Sequence, residues 1–208
     1  MTLKTPVVRL LAPFIAPFIS PLFAPLILLV LSAACSPDIQ EVDVKEFRLL
    51  IKTDHVPTRL ALSNLISAFN SEVGFYAIQE VTQEADANSF MTVKEGLYTP
   101  EGRNLGWGQW VIESETESPA FFIHTGELQR TNKHSMNIEL DRNFIQKRVD
   151  QPSEDGQLEM KTLVWHEIGH GFQLDHEDDH NSVMYPEVDK TPRDFAVFFQ
   201  KIRTYFGR

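Results

Sequence analysis

Apolar residues at Leu62, Leu65, Ile66 and Phe69 follow an i, i+3, i+4, i+7 spacing that puts all four on one helix face. The helix begins near Thr58, after a turn from Asp54 to Pro57, and Gly74 follows its end. Upstream, residues 46–52 have the partly alternating, β-rich pattern of a strand. Residues 75–81, 90–93, 107–112, 121–125 and 136–140 are further short apolar or alternating runs, separated by Gly, Pro, Asn, Ser and acidic residues, and they read as the remaining strands. A second helix is predicted over 157–172, after a polar stretch at 151–155, with Leu163, Val164 and Ile168 as its apolar positions. The last helix is signalled by Thr191 as its cap, Pro192 in its first turn and Asp194 at its positive end. Phe195, Phe198, Phe199, Ile202 and Phe206 form its stripe, which suits core packing better than a membrane surface because the polar face is not strongly basic. Strands followed by helices in this arrangement describe an α+β unit.

The opening residues do not belong to that pattern. Lys4 and Arg9 precede an apolar run from Leu10 to Leu31 that ends in Ser32-Ala33-Ala34-Cys35, with no acidic residue, which reads as an export signal over residues 1–35. A membrane anchor is the alternative, since the run is long enough to span a bilayer as a helix. Prolines at 13, 17, 21 and 25 each remove a helical donor and crowd the preceding turn, so residues 26–31 serve better as the compact core of a signal. Cys35 is the only cysteine, which excludes an intramolecular disulfide. Residues 31–35 resemble a bacterial lipobox, which would put a lipid on Cys35, although Ser32 stands where that motif prefers Leu and an ordinary signal-peptidase cut after Ala34, without lipid, also fits. A polar linker is expected over 36–44, and one domain over 45–208. The implied location is the bacterial cell envelope, lipid-anchored to a membrane, or otherwise periplasmic or secreted.

Charge narrows the partners. The chain of 208 residues carries −10, and removing residues 1–35 deletes Lys4 and Arg9 but no acid, leaving 17 basic against 29 acidic residues. Nucleic acid is excluded as an expected partner.

The second predicted helix contains His166-Glu167-Ile168-Gly169-His170. Residues four apart lie one above the other on a helix face, so two imidazoles are presented together to one metal ion. Glu167 beside them is placed to act as general base on a water activated by that ion. His176 follows six residues after His170, far enough for the chain to leave the helix and bring back a third imidazole. Three neutral ligands leave a position for water. Asp175, Glu177, Asp178, Asp179 and His180 read as a solvated run, with calcium as the alternative, and His55, His124 and His134 are left without a role.

With Ser182-Val183-Met184-Tyr185-Pro186 following, residues 166–186 resemble the metzincin motif of three histidines and a methionine turn, and within that clan the matrixins. The resemblance implies a metzincin-like zinc peptidase domain, with a mixed twisted sheet, an active-site helix and a C-terminal helix. It implies one catalytic Zn2+ held by His166, His170 and His176, Glu167 as catalytic base, and Met184 as the floor of the site. A protein or peptide substrate would add as a strand to an edge strand sought between Gly106 and Ile123. Tyr185 directly follows Met184, one place early for a ligand, and is read as packing. Gln173 replaces the family glycine where the chain leaves the helix, at a cost of about 1 kcal/mol. No stretch matches the family's structural zinc and calcium loop, and neither is assigned. Two alternatives remain open: a non-cleaving zinc-containing lipoprotein that holds peptides, and a hydrolase of non-protein amides.

Overall fold

Phe47, Leu49 and Ile51 alternate with more exposed neighbours along β2 (Phe47–Lys52), and in the computed structural model of the chain these three are buried. The structure describes residues 39–99, 102–103, 105–117, 128–189 and 191–208. The chain divides into two units. In the first, residues 1–41 and 116–130, the Arg130 guanidinium lies 3.3 Å from the Glu41 carboxylate. The second, residues 42–115 and 131–208, holds the core and the candidate site.

The sheet runs in the order β1-β8-β4-β2-β3, with β7 also paired to β8. Its strands are β1 (Ile39–Val44), β2, β3 (Ile78–Val81), β4 (Ser89–Lys94), β7 (Gly106–Glu117) and β8 (Leu128–Asp141). β5 (Tyr98–Thr99) and β6 (Gly102–Arg103) form a small antiparallel pair of their own. β2 pairs parallel with β3 and β4, and β4 parallel with β8, in register Phe47↔Ile78, Leu50↔Phe90 and Met91↔Ile138. Parallel neighbours need a crossover. Helix α1 (Val56–Val73) supplies it between β2 and β3, burying Leu62, Ile66 and Phe69 and ending at Gly74 with φ 89°.

Helix α3 (Glu154–Gly171) starts at Ser153, whose hydroxyl accepts from the Gly156 N–H at 3.1 Å, with Glu154 and Asp155 in the favourable first turn. Every residue from 162 to 169 is buried, which makes α3 the central helix rather than an amphipathic surface one. Trp165 packs edge-on against Phe199 at 5.1 Å and Phe69 at 6.1 Å, and Phe172 meets Phe47 at 4.9 Å. Each such side chain contributes on the order of 1.5–3 kcal/mol by leaving water. Phe198, Phe199 and Ile202 of α4 (Phe195–Tyr205) close this core, so the last stripe packs inward. Among the described residues no helix is long and apolar enough to cross a membrane.

The structure departs from the sequence expectations in several places, the small β5–β6 pair among them. Ile39–Val44, within the expected linker, is a strand whose side chains are all exposed. Arg142–Asp150 forms an unforeseen helix, α2, capped by Asp141 accepting from the Phe144 N–H at 2.9 Å. The cap of α4 is Asp194, which accepts from the Ala196 and Val197 N–H groups, rather than Thr191. The strand expected over 121–125 lies outside the described residues, as do Cys35 and His124.

Candidate metal centre and general base

Helix α3 carries His166 and His170 one turn apart, and the loop beyond it returns His176 to the same point. The His170 Nε2 lies 3.1 Å from both the His166 Nε2 and the His176 Nε2. The other nitrogens of the two helical rings face main-chain carbonyls, His166 Nδ1 with Val183 O and His170 Nδ1 with Leu174 O, each at 2.8 Å. A carbonyl can only accept, so both Nδ1 atoms carry the proton and both Nε2 atoms present a lone pair. Two lone pairs at that separation share no proton, and a cation between them removes the conflict. Tetrahedral zinc at ordinary Zn–N lengths sets its ligand nitrogens about 3.3 Å apart, so the set fits that ion. Burial strengthens the case: it depresses the His166 imidazole to about 4 and lowers His170 in the same direction, keeping both neutral and able to bind metal.

The path that brings these groups together is set by the end of α3. Gln173 takes φ 64°, the left-handed conformation that the motif normally gives to glycine. Its N–H bonds the His170 carbonyl at 3.0 Å, and the Leu174 N–H bonds the Gly169 carbonyl at 3.0 Å, closing the helix and aiming the Leu174 carbonyl back at His170. The Gln173 side chain approaches the Nδ1 of buried His134 at 3.5 Å, a long contact, and that nitrogen lies 2.8 Å from the Tyr205 hydroxyl. Met184 is buried beneath the helix, where its sulfur lies against Gly169, and any side chain at 169 would collide with it.

The loop from 177 to 189 is tied to itself. The Glu177 N–H bonds the Met184 carbonyl at 3.0 Å, and the Glu177 carboxylate pairs with Lys201 and accepts from the Ser182 hydroxyl. Lys201 first, then Ser182, holds that carboxyl below its usual range. Tyr185 lies tilted against His180, ring centroids 4.0 Å apart, with the Arg193 guanidinium 5.4 Å from its ring. The Arg193 side chain is fully buried and donates to the carbonyls of His180 and Glu187 and to the Asp189 carboxylate. Nothing in the periodicity of the sequence singles out Arg193, nor the two carbonyls that orient the imidazoles.

Glu167 is only 4% exposed, and β7 runs directly over it. Its carboxylate accepts from the Gly108 N–H, while burial pushes the carboxyl up to about 8. Trp107, Trp110 and Ile112 of the same strand are exposed.

The family model described as matrixin matches residues 107–199, a span that includes the three histidines, Glu167 and Met184. No curated protein matches the chain. Among solved structures, the crystal structure of archaemetzincin from Methanopyrus kandleri is similar, with 11% identity and a TM-score of 0.48 over 79% of this chain and 97% of that one.

Proposed function

We propose that the chain is a zinc-dependent endopeptidase. The observation that carries this reading is the convergence of three imidazole nitrogens, two of them oriented by backbone carbonyls, next to a buried carboxylate one residue after the first ligand. The matrixin match over 107–199 supports it. His166, His170 and His176 would hold the ion. When bound, zinc supplies a Lewis acid that polarises a carbonyl and lowers the pKa of water to about 7.

The chain's own residues do the rest. An extended peptide adds along β7, where exposed Trp107, Trp110 and Ile112 supply apolar contact. The Glu167 carboxylate takes the proton of the attacking water and returns it to the leaving amine. Met184, buried against Gly169, would form the floor of the site. Residues 1–35 would direct export, with a lipid on Cys35 as the anchor; mass spectrometry of the membrane fraction tests that part, and a new terminus at Cys35 with an unmodified thiol would remove the lipid.

The test of the reaction is cleavage of a quenched-peptide library by the natural chain and by Glu167→Ala, with zinc measured on both. One zinc on each, with cleavage by the natural chain alone, is the expected result. Zinc on both with cleavage by neither would favour a protein that holds peptides without cutting them.

A further inference from the structure

Glycine inside a strand is unfavourable, because it packs nothing and loses the most freedom on folding. β7 nevertheless carries two at alternate positions, Gly106 and Gly108, which therefore share one face of the strand. Neither has a positive φ; among the described residues the glycines that do are Gly74, Gly96 and Gly207. Backbone conformation thus gives no reason for glycine at 106 or 108, and space is what remains. A Cβ on Gly106 would meet the Glu167 Cγ and Cδ at 2.8 Å each. A Cβ on Gly108 would land on the Glu167 main-chain carbonyl oxygen, with the Glu167 Oε2 at 3.1 Å.

We infer that Gly106 and Gly108 are positioning residues for Glu167: a side-chain-free face brings the backbone of β7 down onto α3, so that the Gly108 N–H holds the carboxylate in place. The assignment rests on the peptidase reading only for its kinetic consequence. The two positions act differently. Crowding at 106 falls on the flexible end of Glu167 and is relieved by swinging the carboxylate aside, with the strand left where it is. Crowding at 108 falls on main chain and is relieved only by lifting β7 from the helix.

The same strand is the edge on which substrate would be laid, so the two glycines separate base geometry from substrate binding. Gly106→Ala moves the base alone and lowers kcat with KM nearly unchanged. Gly108→Ala moves the strand and affects both. Neither touches the histidines or the carbonyls of Val183 and Leu174, so zinc content stays at the natural value.

The experiment has one arm that needs no activity. The chain has ten glycines, few enough that 15N-glycine labelling of the zinc-loaded protein resolves each amide. In Glu167→Ala the Gly108 amide proton should move upfield far more than that of Gly74, because it has lost its hydrogen bond to the Glu167 side chain. An unmoved Gly108 amide overturns the inference, whether or not the protein cleaves peptides. In the kinetic arm, Gly106→Ala should lose at least roughly tenfold in kcat, with KM within about twofold and zinc retained. Full kcat in that variant also overturns it. Should either glycine variant fail to fold, the amide measurement on Glu167→Ala decides alone.

Discussion

The Nδ1 of His166 donates to the main-chain carbonyl of Val183 at 2.8 Å, linking the middle of α3 to the turn that carries Met184. The bond fixes which nitrogen can bind metal, and it makes the burial of His166 depend on the turn. His176 reaches the same point from an exposed loop. The two ligands should therefore fail differently. We expect His176→Ala to lose zinc but leave the melting temperature of the zinc-free protein almost unchanged. His166→Ala should lose zinc and also lower that temperature, because it opens a hole in a buried site. Chelation of the natural protein should cost about 2.7 kcal/mol at a starting free zinc of a hundred times Kd. Calorimetry with and without chelator reads all three, and equal melting of the two zinc-free variants would contradict the assignment.

Burial of Glu167 makes the zinc-free protein sensitive to alkali. Its folded carboxyl keeps a proton until about pH 8, whereas the unfolded one gives it up near 4.5. Between these values the native state binds more protons, so stability falls as pH rises. Glu167→Gln lacks that loss. Its advantage over the natural chain should be near zero below the unfolded value and grow to at most about 5 kcal/mol above the folded one. Urea denaturation of both at about pH 5 and about pH 9 measures it. His166 acts in the opposite direction in both proteins, since its folded value of about 4 lies below the ordinary 6.5 and stability falls as pH drops through that interval. An advantage that does not change with pH would show that the carboxyl is ionised where it sits.

Gln173→Gly should stabilise the fold by about 1 kcal/mol, since it relieves the left-handed strain and gives up only a long contact to His134. The gain should appear as a higher denaturant midpoint at unchanged slope, with zinc retained. Destabilisation would mean that the His134 contact outweighs the strain.

Arg193→Met should cost about 3 kcal/mol and weaken zinc binding, because it leaves two carbonyls and the Asp189 carboxylate without their donor beneath the metal loop. Arg193→Lys should restore little, as a single ammonium cannot span three acceptors in a planar fork. Denaturation and zinc titration of both variants test this. Natural stability in Arg193→Met would place the loop's support elsewhere.

The parts legible in the sequence are those with strong local signals. Leu62, Ile66 and Phe69 announced α1 and are buried, and Gly74 ends it as expected. The three histidines meet because helical spacing is itself geometry. By contrast α2 buries only Ile145 completely and leaves no stripe to read, while β1 exposes every side chain and looked like linker. Thr191, Pro192 and Asp194 all suit the start of α4, and the local sequence does not tell them apart; the Asp194 carboxylate is the group that accepts from the first helical amides. The approach of Gly106 and Gly108 to Glu167 joins distant segments, so the sequence marked the strand but not its purpose.

Val183 and Leu174 orient the metal-binding rings through main-chain carbonyls, and no side-chain substitution can delete a carbonyl. The two hydrogen bonds therefore depend on where the backbone runs, not on which side chains stand at 174 and 183. The burden of selection passes to residues that touch no metal but route the backbone: Gly169 over the Met184 sulfur, Gly171 against Met136, and whatever residue holds a left-handed turn at 173. A lineage could exchange Gln173 for glycine or asparagine and keep its zinc, whereas a methyl group at 169 would first have to push the Met184 sulfur aside.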